Sequence, residues 1–179
     1  MGFFSKLLRR GQDPAEAPQP AGVNTKTWQE AGDVLIEMST FQNQLGQLFD
    51  EYRERTKSPR LEMLLDLLSG RAYQCEKDLA TYTKGMARAL KRTRIQFRMS
   101  HSPRSLLGDL CDLPNPTSDD VTDVGFKSDD YFGSVFKELI ALSEANGTRK
   151  LQKVFENMWE MEQQAKKTFA RQVNSLQDI

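Results

Sequence analysis

The residue types that most often perform acid–base, nucleophilic or metal chemistry are scarce in this chain. It has one histidine, His101, and two cysteines, Cys75 and Cys111, among 179 residues. No Ser–His–Asp or Cys–His set can be assembled around a single histidine. Two cysteines are too few for a disulfide framework, and there is no Gly-rich phosphate loop. We therefore expect no enzymatic activity, no catalytic residues and no cofactor.

One carboxylate falls at a position that the apolar pattern predicts to be buried. Glu162 falls within the apolar stripe of the last helical segment, between Met158 and Ala165. Burying an unpaired carboxylate is costly, so a buried Glu162 should be neutral or hydrogen-bonded. The candidate partners are Gln42, Gln44 and Tyr82. The alternative is that Glu162 lies at the edge of the stripe, partly in water.

The elements that would position these residues are helical. Apolar side chains recur at spacings of three and four, which predicts an all-α chain. The predicted helices are A over 25–55, with Trp28 opening its stripe, B over 59–95, C over 128–146 and D over 148–177. Ser128 is the predicted N-cap of helix C, with Asp129 in its first turn, and Thr148 is the predicted cap of helix D. Residues 99–127 form a long connection, which Leu106, Leu107 and Leu110 could seat as a short helical turn.

Two helical hairpins joined by a long connection resemble the ferritin-like fold, in which a crossover joins the parallel second and third helices. Two strings strengthen the resemblance. Residues 60–68, RLEMLLDLL, and residues 155–162, FENMWEME, look like stretches of small bacterial ferritin-like and rubrerythrin-like proteins. The resemblance covers about residues 25–177 and implies a ferritin-like four-helix bundle with a flexible N-terminal tail.

Metal-binding members of that family carry Glu-x-x-His on the second and fourth helices and one Glu on each of the others. The resemblance places these positions on Gln42 or Gln44, Ala72, Cys75, Asp129, Glu162 and Ala165. Only Glu162 and Asp129 are carboxylates, and neither histidine is present, so we expect no metal centre. The alternative is a metal-binding oxidoreductase or iron-handling protein with an altered site that uses Glu162, Asp129 and Cys75.

The N-terminal end offers a binding function. Residues 1–10 form an amphipathic segment, and residues 11–24 read as a flexible linker, joined to a domain over 25–179. The segment combines apolar and cationic side chains, namely Phe3, Phe4, Leu7 and Leu8 with Lys6, Arg9 and Arg10. Such a helix suits a membrane interface. Docking on the bundle or on a partner protein, and no role at all, are the alternatives. Because one copy binds weakly, we expect a homodimer.

Charge is segregated within the domain, although the formal net charge is zero. A basic patch comprises Lys84, Arg88, Lys91, Arg92, Arg94, Arg98 and Arg104, and an aspartate-rich stretch follows over 109–130. The cations could bind nucleic acid, which is a second alternative function. They could instead complement a helix C-terminus, or be neutralised by the acidic stretch.

Composition adds two expectations about location. No apolar run approaches the roughly 20 residues that span a bilayer, and no secretory signal opens the chain. We therefore expect a cytoplasmic interaction or structural module that associates peripherally with a membrane or a partner.

Overall fold

The computed structural model describes residues 27–113 and 116–177, and 82% of this part of the chain is helical. The all-α prediction is confirmed. Residues 1–10 and the linker 11–24 lie outside the described residues. The described elements are β1 Thr27–Glu30, α1 Ala31–Arg55, α2 Pro59–Gly85, α3 Arg88–Lys91, β2 Arg94–Phe97, α4 Pro103–Asp112, α5 Ser118–Ala145 and α6 Arg149–Gln177.

Helices α1 and α2 form an antiparallel hairpin. The Tyr73 hydroxyl donates to Asp50 at 2.7 Å near one end, and the Asn43 amide donates to Glu76 at 3.2 Å further along. The hairpin turns at Ser58, whose hydroxyl accepts from the backbone N–H of Leu61, with proline at the first helical position. This stop and start is the one that the Ser-Pro pair predicts.

Helices α5 and α6 form a second antiparallel hairpin. The rings of Phe126 and Phe169 lie 5.3 Å apart, while the Lys137 ammonium lies 6.0 Å from the Trp159 ring. The turn between them contains Gly147 at φ 66°, a left-handed conformation that favours glycine after a helix. Helix α6 begins where helix D is predicted. The Thr148 carbonyl accepts the first hydrogen bonds of this helix, from the N–H groups of Leu151 and Gln152, and the Thr148 hydroxyl donates to the Ser143 carbonyl at 2.9 Å.

Helices α2 and α5 run parallel, since Leu68 packs against Gly125 and Arg71 pairs with Asp129 further along both. The chain therefore has to return between them, and residues 86–117 do this. Helix α4 packs on α1 and α5, with Leu107 and Leu110 buried, as the sequence predicts. A single core cluster draws apolar side chains from all four long helices and from β2.

Helices A and B are both shorter than predicted. Residues 27–30 form a strand that pairs antiparallel with residues 94–97, so that Trp28 lies opposite Gln96. Trp28 is 59% exposed and does not open the stripe of α1. Helix α2 ends at Gly85, and β2 buries Ile95 and Phe97. Some apolar side chains of residues 86–97 thus reach the core from a strand. The alternation of buried and exposed residues in this short strand is easily mistaken for helical spacing.

Helix C begins ten residues earlier than predicted. Thr117 caps α5, and its hydroxyl accepts from the Asp120 N–H while the Asp120 carboxylate accepts from the Thr117 N–H. Ser128 is not the cap, because it is buried and donates to the Val124 carbonyl at 2.9 Å. Gly125 lies within α5, although glycine usually weakens a helix. A Cβ there would lie 2.8 Å from Leu68 and from Phe169, so glycine permits close packing.

Candidate functional site

The two carboxylates singled out from the sequence come together around an arginine. Asp129 is near the middle of α5, not in a first helical turn, and Glu162 projects from α6. Arg71 of α2 reaches between them. Its Nη1 and Nη2 donate to the two oxygens of Asp129 at 2.7 and 2.6 Å, and Nη2 also lies 3.1 Å from Glu162 Oε1. The guanidinium therefore joins three helices through one group.

This cluster, defined as Arg71, Asp129 and Glu162, is shielded from water. Asp129 and Glu162 are 6% and 8% exposed, and the guanidinium lies 5.1 Å from the ring of Phe169. Planar arginine suits both contacts, since it binds a carboxylate with two donors and stacks on an aromatic face. Glu162 is thus buried, and its partner is Arg71, not Gln42, Gln44 or Tyr82.

Burial shifts the ionisation of both carboxylates. Loss of hydration raises the pKa of Glu162 to about 7, although the Arg71 charge opposes the shift. Burial also raises the pKa of Asp129, against the hydrogen bond and charge of Arg71. One cation serves two buried carboxylates, so the second is held only weakly in its charged form.

Cys75 lies one turn beyond Arg71. Its thiol donates a long contact to Glu162 Oε2, with 4.0 Å between the sulfur and the oxygen. Burial, and then the Glu162 charge, raise the pKa of this thiol well above its usual value. A thiol in this state is protonated, so it is neither a ready nucleophile nor a ready metal ligand.

The residues do not fit the di-metal centre that metal-binding ferritin-like proteins carry. Ala72 and Ala165 have no ligand atoms, and the two carboxylates are already bound to a fixed cation, Arg71. Among the described residues, no group of three His, Cys, Asp or Glu side chains is placed to hold a metal ion. A divalent ion here would have to displace the guanidinium or lie against it.

Sequence reasoning missed Arg71, although a signal was present. Arg71 is three residues after Leu68 and four before Cys75, so it shares the apolar spacing as well as Ala72 does. An arginine on an apolar face opposite a buried carboxylate is the expected pairing. The signal for Arg71 is therefore its position on the apolar face of α2, opposite Glu162.

The seven predicted cations form a second feature, which we call the basic surface. It runs from the end of α2 through α3 and β2 to α4, and its side chains are exposed apart from that of Lys91, which is half-buried. Within residues 27–113 and 116–177, none of the seven forms an ion pair with a carboxylate. Of the aspartates proposed to neutralise them, Asp129 binds Arg71 and Asp130 binds Lys166.

The β1–β2 ribbon adds an aromatic side chain to this surface. Strand β2 alternates, with Arg94 and Gln96 exposed and Ile95 and Phe97 buried. Since directly paired residues of antiparallel strands share a face, Trp28 lies on the outward face opposite Gln96. The indole therefore lies on the same outward face of the ribbon as Arg94, whereas the sequence predicted it in the core of a helix.

His101 lies between β2 and α4, at the edge of the basic surface. Its ring packs edge-on against Tyr131, with centroids 4.9 Å apart, and its Nδ1 lies 2.9 Å from the Ser100 hydroxyl. These contacts explain the residue as part of the crossover packing.

No protein-family model, no curated protein and no solved structure matches the chain. Within residues 27–113 and 116–177, no helix is long and apolar enough to cross a membrane.

Proposed function

We propose that the protein is a non-enzymatic interaction module, a ferritin-like four-helix bundle without a metal centre, recruited to an anionic membrane surface by residues 1–10. The observation that carries the proposal is the position of Thr27. The tether joins the fold at β1, and β1 pairs with the strand that bears Arg94. The amphipathic segment and the basic surface are thereby attached to one end of the α1–α2 hairpin.

The interior supports the scaffold part of this proposal. Two antiparallel hairpins, a parallel α2 and α5, and a crossover packed on α1 and α5 are the features of a ferritin-like bundle. In this chain Arg71 supplies the positive charge between helices that a metal ion would supply in a metal-binding relative. A fixed side-chain cation holds the helices together without chemistry at the site.

The recruitment part of the proposal rests on two weak interactions that add together, apolar insertion and electrostatic attraction. Four apolar side chains in an interface contribute roughly 1–2 kcal/mol each before ordering costs, which gives weak binding. Each lysine or arginine near an anionic leaflet adds about 1 kcal/mol. The basic surface thus supplies what the short segment lacks, and Trp28 is of the residue type found at membrane interfaces.

The test is co-sedimentation with vesicles. The full chain should sediment with vesicles containing phosphatidylserine and much less with pure phosphatidylcholine vesicles, while a chain starting at Ala21 should lose most of the binding. Arg94→Ala with Arg98→Ala should weaken binding to the anionic vesicles by about thirtyfold. Lys57→Ala with Arg60→Ala, which removes two exposed cations at the opposite end of the hairpin, is the matched control. Equal sedimentation of the full and shortened chains would end the proposal.

We further propose a homodimer, because two tethered segments on one particle turn a marginal anchor into a useful one. Sedimentation equilibrium of the full chain measures this directly. A monomer at all accessible concentrations would remove the dimer from the proposal and leave the single anchor to be tested as above.

A nucleic-acid role is the second candidate, and exposed Trp28 beside Arg94 is the observation that favours it. Single-stranded nucleic acids bind where bases stack on aromatic rings within a cationic groove. This function predicts binding of single-stranded DNA or RNA that weakens steeply with salt, and weakens further with Trp28→Ala or with Arg92→Ala plus Arg94→Ala. Binding that ignores salt, or none at all, would exclude it.

The metal-binding alternative is separated by metal analysis of protein purified without chelator. A stoichiometric iron or manganese content, lost in Glu162→Gln, would replace the scaffold proposal with an iron-handling or oxidoreductase function. We expect less than stoichiometric metal, and no change in Glu162→Gln.

A further inference from the structure

A pocket opens between α2 and α6, beside the buried cluster. Helix α4 packs against α1 and α5, whereas the walls of this pocket come from α2, α5 and α6. The pocket encloses about 100 Å³. Its walls are mainly apolar and come from α2, α5 and α6. The apolar lining residues are Leu79, Tyr82, Phe136, Met158, Met161 and Ala165.

The inner end of the pocket is polar. Arg71, Cys75 and Glu162 line it, and the half-buried Asp78 also lines the pocket. An apolar cavity with a few convergent polar groups is the usual form of a small-molecule site. The lining of the pocket is therefore that of a small-molecule site and is more than a gap in the helix packing.

At that end of the pocket, the positive and negative charges do not balance. Glu162 Oε1 accepts from Arg71, whereas the contact of Oε2 is the Cys75 thiol at 4.0 Å. Arg71 already gives its two shortest hydrogen bonds to Asp129. Lys166, the nearest other cation on α6, pairs with Asp130. The buried carboxylates thus outnumber the cation that binds them, and Oε2 has the capacity to accept a stronger donor.

We propose that this pocket binds a small organic cation with an apolar body, such as an alkyl or aromatic amine. Its ammonium would donate to Glu162 Oε2 and complete the charge of the cluster, and its hydrocarbon would lie against Leu79, Phe136 and Met158. The proposal goes beyond membrane recruitment and does not depend on it.

Size and charge restrict the ligand. An apolar cavity of about 150 Å³ holds benzene, so this smaller pocket accepts a short chain or one ring whose remainder emerges at the open mouth. An anion would meet both Glu162 and Asp78. A neutral apolar molecule would fill the space but leave Oε2 with its weak thiol donor.

The test uses three ligands of one chain length, pentylamine, pentanol and pentanoate, titrated into the full-length protein and followed by amide NMR shifts. The amine should bind at least about tenfold more tightly than the alcohol, because a hydrogen bond to a charged group is added. Pentanoate should bind most weakly. Equal affinity for amine and alcohol would overturn the proposal.

Two variants and a control localise the binding. Glu162→Gln keeps the shape and removes the charge, so the amine should lose its advantage over the alcohol. Glu160→Gln, at an exposed position on the same helix, should change nothing. Ala165→Leu should block both ligands by filling the pocket while leaving Glu162 in place. Unchanged amine binding in either Glu162→Gln or Ala165→Leu would show that the ligand binds elsewhere.

The pH dependence provides an independent readout. The groups that face Glu162 are Arg71 and Cys75 on α2, Asp129 on α5 and Lys166 on α6. Because the pKa of Glu162 is about 7, amine affinity should rise as pH increases toward 7 and level off above it. Pentanol binding should show no such rise, and a parallel rise for both ligands would count against the role of Glu162.

Discussion

Arg71 and Asp129 form a two-donor ion pair across the parallel helices α2 and α5, with both Arg71–Asp129 distances below 2.8 Å. The pair lies one helical turn from the contact between Leu68 and Gly125. A planar guanidinium is needed for this geometry, since a lysine ammonium offers no fixed pair of donors.

Arg71→Met should destabilise the protein strongly. It leaves Asp129 and Glu162 buried without a cation, which costs about 3–5 kcal/mol in the free energy of unfolding. Combining it with Asp129→Leu and Glu162→Met should recover most of the loss, because no buried charge then remains. Urea denaturation measures each variant.

The matched control for that experiment is Arg53→Met. Arg53 pairs with Asp50 on its own helix and with Asp66 across the α1–α2 hairpin, but Asp66 is largely exposed. Its loss should cost no more than about 1 kcal/mol. Equal costs for Arg71→Met and Arg53→Met would contradict the view that the interior pair differs from a surface pair.

Glu162 should make the stability depend on pH. Its pKa is about 7 in the folded protein against an ordinary value of 4.5, so the folded state binds this proton more tightly than the unfolded state. The free energy of unfolding therefore falls as pH rises between these two values, by up to about 3 kcal/mol from this group. Glu162→Gln should remove that fall.

Urea denaturation series from about pH 5 to about pH 8 would measure this dependence. Glu160→Gln, on an exposed part of α6, should leave the slope unchanged. A slope that persists in Glu162→Gln would assign the titration to another group.

Gly125 and Gly70 should respond oppositely to alanine. At Gly125 a Cβ would lie 2.8 Å from both Leu68 and Phe169, so Gly125→Ala should cost about 1–3 kcal/mol through overpacking. A Cβ at Gly70 meets nothing within 4 Å, so Gly70→Ala should add up to about 1 kcal/mol of helix stability. Thermal unfolding of the two variants is the measurement, and a gain at both sites would show that α2 and α5 can separate freely there.

The start of α5 can be tested at its two candidate caps. Thr117→Ala removes the hydroxyl that accepts from the Asp120 N–H and should cost about 1 kcal/mol. It should also raise the pKa of Asp120, which hydrogen bonds from Thr117 now lower. Ser128→Ala, at the site that the sequence favoured, should change stability little. A larger loss at Ser128 than at Thr117 would contradict the helix start seen here.

Local chemistry accounts for the parts of the fold that the sequence predicts. Ser58 with Pro59 and Asn146 with Gly147 mark helix ends through their own backbone preferences. Leu107 and Leu110 show a helical spacing within the crossover. None of these features requires knowledge of distant residues.

The parts that the sequence missed depend on distant partners. The spacing around Trp28 predicts a helix, but residues 27–30 form a strand because they pair with residues 94–97, far along the chain. A glycine such as Gly125 weakens an isolated helix, and only its close contacts with Leu68 and Phe169 explain its place in α5. Arg71 and Ala72 both lie near the apolar stripe, and only the carboxylates of α5 and α6 decide that Arg71 turns inward. The site therefore needed tertiary contacts that periodicity alone does not encode.

The β1–β2 ribbon links the two ends of residues 27–97. The α1–α2 hairpin is therefore joined covalently at residues 56–58 and by strand hydrogen bonds at its other end. A protease that cut the exposed turn near Lys57 would therefore leave two fragments that still hold each other at the far end. The ribbon acts as a clasp, and the hairpin should keep its pairing after a nick that would release an ordinary pair of helices.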